Sequence, residues 1–65
     1  MLSVAATDRL HTVIDRAARA AAEPFKKARD ASTPTERTIF DLLALRAERT
    51  VRLESYAYLN DQELS

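Results

Sequence analysis

Chemistry in this chain would have to be built around one imidazole, His11. A nucleophilic site needs that ring beside a hydroxyl, with a third group to orient it. Thr7 and Thr12 flank His11, and Glu54 and Ser55 are the far-sequence candidates. The surroundings do not support such a site. The chain has no glycine, so it lacks the residue that forms strained nucleophile turns, oxyanion holes and phosphate-cradling loops. It has no cysteine and a single histidine, too few soft ligands for a zinc centre. Glu-x-x-His does not occur, so the carboxylate-bridged metal bundle has no ligand set. No catalytic, cofactor-binding or metal-ligating residue is expected, and the chain reads as non-enzymatic.

The elements that would position these residues are two helices. The segment Ser32-Thr33-Pro34-Thr35-Glu36 divides two long stretches that contain no other strong break. Thr33 is placed as an N-cap, Pro34 takes the first helical position, where its missing N–H costs nothing, and Glu36 completes a capping box. Helix 1 is expected over about 3–30 and helix 2 over about 34–60, one hairpin domain spanning residues 1–65, with a polar tail 60–65 that frays. Pro24 lies inside helix 1, where it removes a hydrogen bond and clashes with the carbonyl of Ala20; a kink there is expected, with a full break as the alternative.

In helix 1, small or apolar residues recur at Leu10, Ile14, Ala17, Ala21, Pro24, Ala28 and Ala31, steps of four and three that mark a packing seam. In helix 2, Ile39, Phe40, Leu42, Leu43, Ala47, Val51, Leu53, Ala57 and Tyr58 cover about half the circumference. One neighbour needs a narrower stripe. A chain of 65 residues without disulfides is also marginal alone. The expected architecture is therefore all-α: an antiparallel two-helix hairpin that dimerises into a four-helix bundle.

Turning the chain at Ser32–Thr33 sets residue i against about residue 65 minus i. That puts His11 near Glu54 and Tyr58, Ile14 near Val51, Ala21 near Leu43, and Phe25 near Phe40. Glu54 then falls inside the apolar arc, where an unpaired carboxylate is costly. His11 and Glu54 are the candidate buried polar pair, with a role in register or a mild pH response.

Lys plus Arg and Asp plus Glu number ten each, for a net charge of zero. That balance disfavours a generic nucleic-acid coat or a polybasic membrane binder. No apolar run reaches the roughly 20 residues that span a bilayer. Residues 2–22 carry Arg9, Arg16, Arg19 and many alanines, but Asp8 and Asp15 oppose a presequence. A cytoplasmic location with no membrane partner is expected. Leu45, Arg49, Arg52, Tyr56 and Leu59 recur on one side of helix 2, and Tyr and Arg are favoured in interface hot spots. They form the candidate surface for a larger protein partner. The expected function is a small interaction or regulatory protein that self-associates and binds such a partner. The alternative is an RNA- or DNA-binding regulator using the basic residues Arg16, Arg19, Lys26 and Lys27. In length, alanine-rich packing and outline the chain is similar to small plasmid-encoded RNA regulators whose helical hairpins dimerise into four-helix bundles, a likeness of fold.

Overall fold

The computed structural model describes residues 3–64. It is a hairpin of two helices, α1 over Val4–Asp30 and α2 over Pro34–Leu64, with no strand among the described residues.

Each helix starts on a side-chain cap, which supplies a partner to amide groups that have none within the helix. The Ser3 hydroxyl accepts from the Ala6 amide at 3.1 Å. At the second start, the Glu36 amide donates to Thr33 Oγ1 at 3.4 Å and the Thr33 amide donates to Glu36 Oε1 at 3.3 Å. This is the reciprocal capping box that the spacing of Thr33 and Glu36 predicts. The Thr33 hydroxyl also bonds Glu36 Oε1, and these bonds hold the Glu36 carboxyl below the usual range. The turn between the helices closes on Ser32, whose amide donates to Arg29 O and whose hydroxyl donates to Ala28 O.

One boundary, the end of α2, differs from the sequence expectation, and the alternative of a full break in α1 is not realised. α1 runs unbroken through Pro24. Ala20 and Pro24 are both exposed, so water can satisfy the Ala20 carbonyl left without an amide partner. α2 continues to Leu64, about one turn beyond the expected end at 60. No Gly or Pro follows Leu59 to stop it, and Gln, Glu and Leu are good helix formers. Ser65 lies outside the described residues.

The seam between the helices is made of small side chains. Ile14, Ala18, Ala22 and Ala44 are the buried apolar residues, with Ala18 and Ala22 wholly excluded from solvent. Methyl groups at these sites allow close backbone approach, and the larger Leu10, Phe25, Phe40, Val51 and Leu59 straddle the contact half-buried. The expected seam is displaced: Ala17, Pro24 and Ala31 are exposed, and the centre runs through Ile14, Ala18 and Ala22 in steps of four. α2 is rotated further, by ~100° from the expected arc. It turns Ala44, Ala47, Val51 and Ser55 toward α1 and leaves Ile39, Leu42, Leu43, Leu53, Ala57 and Tyr58 exposed.

The hairpin is one layer deep. Its Cα extents are 48 × 19 × 11 Å and its radius of gyration is 15.1 Å, against about 11 Å for a compact chain of this length. No helix among the described residues is long and apolar enough to cross a membrane.

Two substitutions test this seam. Ala18→Leu should destabilise by about 1–3 kcal/mol, because no space exists for the added carbons. Ala20→Leu, on the exposed side, should stay within about 0.5 kcal/mol of the parent. Urea denaturation measures both, and equal effects would misplace the seam. Thr33→Ala should cost about 1 kcal/mol through loss of the N-cap, read as a lowered thermal midpoint.

Candidate association surfaces

The two long sides of the slab differ in chemistry. Along one flank, side chains bridge α1 and α2 by charge. Arg29 Nη1 donates to Asp41 Oδ1 at 2.7 Å. Lys26 Nζ lies 3.6 Å from Glu48 Oε1. Arg52 reaches Asp15 at 2.8 Å and Glu48 at 3.4 Å, and Arg19 closes on Asp15 at 3.1 Å. Beyond them, towards the open end, the His11 and Tyr56 rings meet edge to face, centroids 5.4 Å apart and planes at 89°.

This ladder fixes the antiparallel register more than it stabilises the fold, since exposed ion pairs are screened. Its hydrogen bonds perturb both partners. The Arg52 guanidinium holds the Asp15 carboxyl below the usual carboxylate range, helped by the nearby Arg19 charge. Bonds to Asp15 and Asp41 push the Arg52 and Arg29 groups up in turn.

The register differs from the simple mirror about Ser32. Asp15 meets Arg52 and His11 meets Tyr56, two positions further along α2 than expected. The rotation of α2 and the long reach of Arg produce this offset. It separates the candidate buried pair: His11 and Glu54 are both exposed and share no hydrogen bond, and no described polar side chain is buried. Glu54 instead borders an open apolar groove with Leu10, Ile14 and Tyr58.

The expected partner surface is divided in the same way. Leu45 and Arg49 are exposed on the outer side of α2. Arg52, Tyr56 and Leu59 are half-buried toward α1, in the ion-pair ladder, against His11 and beside Leu10 respectively. The outer side gains Arg46 and three residues that the sequence reading put in the core: Ile39, Leu42 and Leu53. The available signal was Ala44 and Ala47, small residues spaced for a close seam, between leucines that are too large for it.

The basic set is also split. Arg16 and Lys27 are exposed on the outer side of α1, with Glu23 between them, whereas Arg19 and Lys26 are engaged by Asp15 and Glu48. Among the described residues, no group of three His, Asp or Glu side chains is placed to hold a metal.

The lowered Asp15 value sets a pH signature. A carboxyl whose folded value is depressed contributes stability above its unfolded value, and that contribution disappears as pH falls through the folded value. Asp15→Asn should therefore lower the urea midpoint at neutral pH, and the difference from the parent should shrink as pH falls through the depressed folded value of Asp15. A difference that stays constant as the solution is acidified would show that the Arg52–Asp15 bond is not the cause.

Compared with protein-family models, curated proteins and solved structures, the chain has no match.

Proposed function

We propose that the chain is a non-enzymatic, cytoplasmic interaction protein that pairs with a second copy as a four-helix bundle and acts on a larger protein partner. One observation carries this reading. The hairpin leaves its large apolar side chains bare while burying mainly alanine: Leu42 is 60%, Leu53 65% and Tyr58 62% exposed.

Surface area supports the same view. The chain exposes 5177 Å² at 7.3 kDa, against about 4,200 Å² for a compact folded monomer of that mass. The excess is of the order of the ~800 Å² that each partner buries in a standard interface. The side of the slab away from the ion pairs suits that contact. At about 100° per residue, Leu10, Ile14, Ala17 and Ala21 of α1 share it with Leu43, Ala47 and Tyr58 of α2. Stacking two slabs on this side gives the second layer that a domain needs to cover apolar faces.

Sedimentation equilibrium tests the proposal. Twice the 7.3 kDa chain mass at micromolar concentration is the expected result. A folded monomer that persists to about 100 μM, where even weak dimers populate, would overturn it.

A further inference from the structure

The outer side of α2 faces away from α1 and also away from the apolar side assigned to self-association. Between Thr38 and Ala57 it combines leucines with arginines, and the acid that borders it, Glu48, is already paired with Lys26 and Arg52. Ile39, Leu42, Leu45, Arg46, Arg49 and Leu53 are exposed there. From Thr38 to Ala57, the acids Asp41 and Glu48 point to the ion-paired flank, where Arg29, Lys26 and Arg52 engage them. Glu54 borders the groove beside Leu10 and Ile14. Among the described residues Arg46 and Arg49 make no ion pair or hydrogen bond, although the protein as a whole is neutral.

The spacing of this patch matters as much as its charge. Ile39, Leu42, Leu43 and Arg46 stand at i, i+3, i+4 and i+7, as do Leu42, Leu45, Arg46 and Arg49, and together they line a continuous depression. Four residues at that spacing make the hole that receives one knob from a facing helix. Two consecutive holes one turn apart fit an α-helix better than a fluid lipid surface. A second copy is a poor occupant, because it would bring the same unneutralised arginines against themselves.

Resting on the reading of the chain as an interaction protein, we infer that this face docks an acidic amphipathic helix of a partner protein. The partner's apolar knobs enter the two holes. Its flanking carboxylates meet Arg46 and Arg49, whose planar guanidinium groups suit carboxylate pairing.

The probe is a synthetic helical peptide with leucines on one stripe and glutamates beside it, compared with the same peptide carrying lysines for glutamates. Fluorescence anisotropy against the full chain at about 50 mM salt should show the acidic peptide binding at least about tenfold tighter. Arg46→Glu with Arg49→Glu should reverse that order, and Leu42→Ser should weaken both peptides. Circular dichroism and sedimentation of these variants should match the parent. Equal binding of the two peptides, or a preference that survives the double arginine change, would overturn the inference. So would a changed oligomeric mass in that variant, which would make the face a self-interface. Binding of phosphatidylglycerol vesicles in place of the acidic peptide would identify a membrane surface and overturn it too. A monomeric chain that still prefers the acidic peptide would sink the dimer and leave this docking face standing. A dimer without preference would do the reverse.

Discussion

Close approach at Ala18, Ala22 and Ala44 is the constraint on which the rest of the hairpin depends. Side chains this small contribute little apolar area each, so the seam cannot supply the stability that a leucine core would. What it supplies is proximity. With the backbones close, side chains flanking the seam can reach across it, and Asp15, Lys26, Arg29, Asp41, Glu48 and Arg52 do so. The same seam turns the leucines of α2 outward, because no space between the helices is large enough to hold them.

From that follows a molecule with distinct sides. The charged flank fixes register and turns its acids inward on bases of the other helix. The opposite side, with Leu10, Leu43 and Tyr58, is apolar and uncovered. The outer edge of α2 keeps apolar side chains beside Arg46 and Arg49, which meet no acid among the described residues. A neutral chain can therefore present a locally cationic surface, since Asp41 and Glu48, the acids nearest in sequence to Arg46 and Arg49, are paired with other bases. This distribution ties the self-association proposal to the docking proposal, with Leu43 at the border that the two surfaces share.

Helix positions were legible in the sequence because they depend on local chemistry. Thr33, Pro34 and Glu36 announce the start of α2. The rotation of the helices was not legible. Alanines at 17, 18, 20, 21 and 22 satisfy several phases equally, so the pattern cannot say which of them face the partner. The leucines of α2 mislead for a related reason: they mark apolar surface, and an apolar surface can face a second chain as well as its own. Register escaped as well, because the pairs that set it, Asp15–Arg52 and Arg29–Asp41, join residues distant in sequence. That is why His11 and Glu54, opposite each other in a simple mirror, end on separate surfaces, and why only part of the Leu45–Leu59 stripe stays outward.

The central claim is that the fold is completed by a second copy covering the apolar side. Folding coupled to association makes the thermal midpoint depend on protein concentration. The most direct measurement is the melting midpoint over about a hundredfold range of chain concentration, followed by circular dichroism. The account predicts a midpoint that climbs steadily with the logarithm of concentration. A single cooperative transition whose midpoint does not move would contradict it, because the hairpin would then be stable with its leucines in water.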